Sequence, residues 1–194
     1  MVALASGCSL ADVPTRLRYK DELTFAMDYL ARDERVLFIG QQVAVKGNAM
    51  TTTLVNVARE KLIEMPVAEE LQMGMSIGLA LGGYIPVTVY PRWNFLLLAV
   101  NQVVNHLDKM KRMSCGGYQP KVIIRTSVGS ERPLNPQCQH IGDFTDGFRA
   151  MCENIEVIRL DEPDQIFAAY RKALERADGK STLIVEWGDF FNEK

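Results

Sequence analysis

Leu23, Ala26, Met27 and Leu30 fall at i, i+3, i+4 and i+7, which predicts an amphipathic helix beginning near Arg18. Asp33-Glu34-Arg35 ends it. Val36 to Ile39 is a continuous apolar run closed by Gly40, the pattern of a buried strand. Gln41 to Thr53 is polar, contains Gly47 and predicts a loop. Glu69 to Leu81 is apolar nearly all round and predicts a buried helix. Gly74, Gly78 and Gly82 leave a ridge without side chains along it. That ridge fits tight packing inside the domain and a contact between subunits equally well. Pro86 to Tyr90 predicts the next strand. Leu96, Ala99, Val100, Val103, Leu107 and Met110 then mark a long amphipathic helix to about Met113, closed by Gly116-Gly117.

Val122 to Ile124 reads as a short buried strand. Ser127 to Ile141 has no period and holds two prolines. Long irregular stretches inside a compact domain are often functional. A short helix over Asp143 to Met151 and a strand over Ile155 to Leu160 follow. Pro163, just after Asp161, starts a helix whose buried face is Ile166, Tyr170, Ala173 and Leu174. Thr182 to Val185 is the last apolar strand. Strands alternate with helices, so the expected fold is α/β, a mostly parallel sheet flanked by helices on both faces. Residues 1–16 are expected to form an N-terminal arm and residues 17–194 one domain. Ligands of such sheets sit beyond the carboxyl ends of the strands. Gln41, the turn Pro66 to Glu69, Tyr90 to Phe95 and Thr126 to His140 should therefore gather at one edge.

Composition narrows the function. The 194 residues carry 22 Lys and Arg against 24 Asp and Glu, so no excess charge points to nucleic acid or an anionic membrane. No apolar run of about 18 residues predicts a membrane span. The N-terminus lacks a basic, then apolar, leader pattern, which implies a cytoplasmic protein with free thiols. The four cysteines form no C-x-x-C pair, and with two histidines a site of several His ligands is excluded.

The usual phosphate cradles are missing. Gly78 to Gly83 is glycine-rich but lies at a helix end, and neither G-x-x-x-x-G-K-[ST] nor G-x-S-x-G occurs. What stands out is Glu69 at the start of a buried helix. An acid there is also favoured simply by the helix dipole.

Pro66-Val67-Ala68-Glu69, the glycine-spaced helix and Gly83-Tyr84-Ile85-Pro86-Val87 together resemble the pyrimidine-binding domain of transketolase-like thiamine diphosphate enzymes. Tyr29 to Asp33, Val36 to Gly40, Asn94-Phe95, Asn101 to Asn105, Met113-Ser114 with Gly116-Gly117, and Gln139-His140 continue the match in register. The resemblance runs from Leu17 to Trp187 and is greatest to the beta subunits of pyruvate and branched-chain 2-oxo acid dehydrogenases.

The resemblance implies roles. Glu69 would be catalytic and cofactor-binding, sharing a proton with ring nitrogen N1′ of the aminopyrimidine of thiamine diphosphate, general acid–base catalysis relayed through the cofactor. Phe95 would stack on that ring; its other reading is core packing. His140 would be a catalytic histidine near the acyl-transfer step; its other reading is a surface loop histidine. Arg92 and Trp93 flank the expected site. His106 and Cys138 receive no role.

Two departures qualify the match. Relatives carry an acidic pair after the first strand's glycine, and this chain has Gln41-Gln42. Relatives also continue into a C-terminal domain, and no G-D-G motif with a downstream Asn occurs here to hold diphosphate and Mg²⁺. The resemblance thus implies an obligate alpha-type partner subunit carrying that half, an α2β2 assembly with self-association, and a 2-oxo acid or ketose substrate. A transketolase-like or carboligase subunit of a specialised pathway, and a non-catalytic assembly module, are the alternatives.

Overall fold

The computed structural model of the protein describes residues 18–132 and 135–192. The expected arm at residues 1–16 lies outside them. In chain order the main elements are α1 (Tyr19–Leu30), β1 (Val36–Gly40), β2 (Leu62–Glu64), α2 (Glu69–Leu81), β3 (Ile85–Tyr90), α3 (Trp93–Leu96), α4 (Met110–Met113), β4 (Ile123–Val128), α5 (Thr145–Met151), β5 (Ile155–Arg159), α6 (Pro163–Glu175) and β6 (Ser181–Trp187).

The six strands form one sheet in the order β2-β1-β3-β4-β6-β5, every pair parallel. Successive strand residues point to opposite faces, so each strand feeds two cores. Val87, Ile123 and Ile184 pack with Leu23 and Met27 of α1 and Ile166 and Tyr170 of α6. Tyr90, Ile124, Leu183 and Val185 pack on the other face with Met73 and Ile77 of α2, Trp93, Val103 and Phe148. Helices thus cover both faces, as the alternating pattern predicts.

Several elements differ from the sequence reading, each for a physical reason. β2 was not predicted, because Leu62-Ile63-Glu64 is too short to show a period. β4 runs on through Arg125-Thr126-Ser127, beyond the Val122 to Ile124 strand that the apolar run predicts. Arg125 is fully buried, with Nε and Nη2 donating to the two Glu186 carboxylate oxygens at 2.6 and 3.1 Å. Tyr170 donates to the same carboxylate. Burial and the Glu186 charge push the Tyr170 hydroxyl well up, so it stays a donor.

The helical run from Trp93 to Met113 is not one regular α-helix. It tightens over Leu97–Ala99 and widens into a π-turn over Gln102–Leu107, where Asp108 N donates to Val103 O five residues back at 2.9 Å. Its apolar seam still faces inward, with Leu96, Ala99, Val103 and Leu107 all buried.

α2 has the predicted ends but is not buried all round. Glu69, Gln72, Met73, Ser76 and Ile77 face the sheet. Leu71, Met75 and Leu81 are exposed, and no atom lies within 4 Å of where a Cβ on Gly74 or Gly78 would stand. Gly74 and Gly78 of the ridge have no packing partner among the described residues. No helix of the described residues is long and apolar enough to cross a membrane.

Candidate functional site

The loop after β1, the start of α2 and the end of β3 meet at the carboxyl edge of the sheet. Glu64, ending β2, holds the loop: its carboxylate accepts Gln42 N at 2.5 Å and Ala44 N at 2.8 Å. Gln42 adopts φ +60°, which turns the loop back toward the sheet. A cavity of about 280 Å³ results, with Gln41, Asn48, Glu69, Gln72, Arg92 and Phe95 among its lining residues.

Glu69 opens α2, where unpaired backbone amides favour an acid. It is only 6% exposed yet faces the cavity. Gln41 Nε2 donates to Glu69 Oε1 at 3.2 Å. The Tyr90 hydroxyl donates to the Glu69 carbonyl at 3.1 Å and pins the helix start to β3. Burial raises the Tyr90 hydroxyl, opposed by a hydrogen bond from Thr88 and reinforced by the Glu69 charge, so Tyr90 remains protonated. Gln72 closes the floor, its amide donating to Thr88 Oγ1 and Val89 O, both at 3.0 Å.

The long loop reaches the same edge. Asn94 Nδ2 donates to Gln139 O at 2.7 Å. The rings of Phe95 and His140 lie 5.7 Å apart, tilted by 38°. His140 Nδ1 is buried with no hydrogen-bond partner among the described residues. Gly129 makes this approach possible, because a Cβ there would overlap the His140 carbonyl oxygen. Glu69 and Phe95 therefore share one cavity, and His140 packs on Phe95 without lining it.

Some residues fall elsewhere. Trp93 is fully buried against Phe148 and Phe144 and belongs to the core, not the pocket. His106 and Cys138 are exposed. Sequence reasoning gave Gln72 and Asn48 no part in the site and placed Tyr90 only at its edge. A glutamine one turn after Glu69, inside an apolar helix, was the available signal for Gln72. The described residues contain no cluster of metal-binding side chains.

Comparison with known proteins places this geometry. The model of the transketolase pyrimidine binding domain matches residues 17–187. The 3-methyl-2-oxobutanoate dehydrogenase subunit beta of Mycobacterium tuberculosis is 26% identical over 178 residues, covering 88% of this chain and 49% of that one. The mitochondrial pyruvate dehydrogenase E1 component subunit beta of Drosophila melanogaster is 25% identical over 167 residues, covering 84% and 45%. The chain spans about half the length of the curated relatives it matches. Among solved structures, a split gene transketolase described as an inactive beta4 tetramer superposes with a TM-score of 0.66 at 16% identity, over 90% of this chain and 52% of that one. Transketolase from Campylobacter jejuni gives 0.69 at 17% identity, over 88% and 26%. These two likenesses establish the fold. With the family model matched over residues 17–187, most of its length, the chain belongs to the transketolase pyrimidine-binding domain family.

Proposed function

We propose that the chain is the pyrimidine-binding subunit of a split thiamine diphosphate enzyme that decarboxylates a 2-oxo acid and transfers the resulting acyl or aldehyde unit. The single observation that carries this is Glu69: a buried carboxylate aimed into a cavity that also presents the Phe95 ring. A buried acid without a cationic partner is costly, and a heteroaromatic nitrogen that shares its proton relieves the cost.

The residues present fit an aminopyrimidine. Glu69 would hold a proton at its carboxylate toward ring nitrogen N1′, Phe95 offers a flat apolar face, and the Gln41 amide fixes Oε1 so that Oε2 is left for the ring. When bound, thiamine diphosphate supplies the carbanion chemistry needed to cleave a bond next to a carbonyl. Tyr90 pins the Glu69 backbone and Gln72 ties α2 to β3, which fixes the helix that carries the carboxylate, and His140, packed on Phe95, is the histidine we place near the acyl-transfer step.

Small-molecule sites usually span about 300–1,000 Å³, so the cavity suits one end of the cofactor. A diphosphate and Mg²⁺ need further donors and oxygen ligands. We assign those to an alpha-type partner carrying the G-D-G half, in an α2β2 assembly. The exposed apolar face of α2, with its open glycine ridge, supports a covering partner or second copy. The substitution Glu69→Gln in the co-purified complex should lower 2-oxo acid turnover at least about a hundredfold while leaving assembly intact. Unchanged turnover would exclude the catalytic assignment and leave the non-catalytic assembly module as the reading.

A further inference from the structure

Asp189 and Arg159 line no part of the pyrimidine cavity, yet between them they hold both feet of the long loop that carries His140. At the first foot, Asp189 Oδ1 accepts three hydrogen bonds, from Ser130 Oγ at 3.2 Å, Glu131 N at 3.0 Å and Arg132 N at 3.1 Å. Arg132 Nε brings a cation to 3.7 Å from the same oxygen. Asp189 sits in the short helical turn Gly188–Asn192 that leaves β6. That turn is fixed to the core, since Phe191 is buried and the Phe190 ring meets Tyr19 edge-on at 5.2 Å.

At the second foot, Asp143 stands three residues after His140. Its Oδ1 accepts Thr145 N at 2.9 Å where α5 starts, and its Oδ2 accepts Arg159 Nη1 at 3.0 Å. Arg159 ends β5 and is gripped in turn. Its Nε donates to Asp161 Oδ1 at 2.8 Å, and Trp187 Nε1 donates to the same oxygen at 3.0 Å. The guanidinium lies 5.4 Å from the centre of the Trp187 ring, which ends β6. Both feet are thus tied to one stretch, Trp187 to Asp189.

Between the feet, backbone meets backbone. A Cβ on Gly188 would stand 2.8 Å from the Gly129 carbonyl oxygen, and one on Gly129 would overlap the carbonyl oxygen of His140. The end of β6, the start of the loop and His140 are stacked with no side chain between them, so a shift of the first reaches the last without a soft layer to absorb it. Single ion pairs at the surface, such as Arg35 with Asp33 at the other edge, add little to stability. Here one carboxylate oxygen gathers three donors, and one guanidinium joins two carboxylates and a ring. Such charge-assisted, multi-point contacts fix geometry.

We propose that Asp189 and Arg159 are positioning residues for His140, holding the two feet of its loop so that the imidazole stays packed on Phe95. The proposal rests on the reading of His140 as the histidine near the acyl-transfer step.

The test uses the two histidines of the chain, His140 at the site and His106 as internal reference. The Phe95 ring, 5.7 Å from His140, shifts the His140 ring signal in a ¹H–¹³C spectrum of the full chain by its ring current. Asp189→Ala and Arg159→Ala should each move that signal and leave His106 in place. Arg35→Ala, which breaks the pair at the other edge, should move neither. In the co-purified complex both alanine variants should lower kcat for 2-oxo acid turnover about tenfold or more, with KM for thiamine diphosphate unchanged because Glu69 and Phe95 keep their places. If an alanine variant does not fold, Asp189→Asn and Arg159→Gln, which keep most of the side chain and remove its charge, carry the same test. An unmoved His140 signal, or an equal movement in Arg35→Ala, would overturn the proposal. So would an unchanged kcat in both variants when His140→Ala abolishes turnover. If His140→Ala leaves turnover intact, the reading of His140 fails, and a moved signal still shows that the two residues position it.

Discussion

Gln41 Nε2 donates to Glu69 Oε1 at 3.2 Å. An amide there supplies a donor that holds Oε1, and a carboxylate in its place would remove the donor and face Glu69 as a like charge. Gln41→Glu should therefore lower 2-oxo acid turnover of the co-purified complex about tenfold or more while leaving its assembly intact. Gly129 sets the loop from the other side. Gly129→Ala should cost about 1–3 kcal/mol in denaturant unfolding and reduce turnover, because the new methyl must displace the His140 backbone. Thiols give a third check. Burial and the nearby Asp108 push Cys152 up to about 12, whereas Cys115 and Cys138 are exposed. Iodoacetamide at pH 8, followed by mass spectrometry, should label Cys115 and Cys138 in the native protein and Cys152 only after unfolding. Glu69 was legible in the sequence as an acid opening an apolar helix. Its functional reading needed the ordered motif around it, since a helix dipole alone explains such an acid. Gln72 was not legible as a site residue, nor was the role of Tyr90, because the partners of both, Thr88 and Val89 for Gln72 and the Glu69 carbonyl for Tyr90, lie 16 to 21 residues away and leave no local pattern.

Periodicity found elements wherever burial is one-sided. The apolar seam from Leu96 to Leu107 follows from spacing, and the bounds of α2 from a run that is apolar nearly all round. It stopped β4 short at Arg125, because a buried ion pair looks like a solvent-facing charge until its partner 61 residues away is known. That pair joins β4 to β6, and Arg125 Nη1 also reaches Met50 O in the loop after β1 at 3.4 Å. Arg125→Met leaves Glu186 buried without its cation and should destabilise the protein by about 3–5 kcal/mol, read from the urea midpoint. The pyrimidine cavity should loosen with it, since the loop that holds Gln41 and Asn48 loses an anchor. The exposed side of α2 was misjudged for a related reason. An apolar face has the same pattern whether its neighbour is the chain's own core or another surface.

At the scale of the whole molecule, charge explains where stability should fail in acid. Hydrogen bonds from Arg35 hold Asp33 down at about 2, and Arg176 holds Asp178 below its ordinary value. Arg159, with Thr145 and Trp187, outweighs burial to keep Asp143 and Asp161 low as well. These carboxyls bind protons more readily when unfolded, so their contribution is present above about pH 4 and is lost as pH falls toward 2. Thermal midpoints should be flat from pH 7 to 5 and drop below 4, and 1 M salt should shrink the drop because the pairs are partly exposed.

The two edges of the sheet add a consequence for association. A parallel sheet with long free edges invites strand-by-strand addition of further chains. Here one edge is β2, three residues long, whose Glu64 is already engaged by the neighbouring loop. The other is β5, which carries Glu156 and Arg159, both in ion pairs. Neither offers a flat apolar template, so copies of this chain should meet through helices. Material that aggregates on storage should accordingly be amorphous and native-like, without the thioflavin-binding signature of stacked strands.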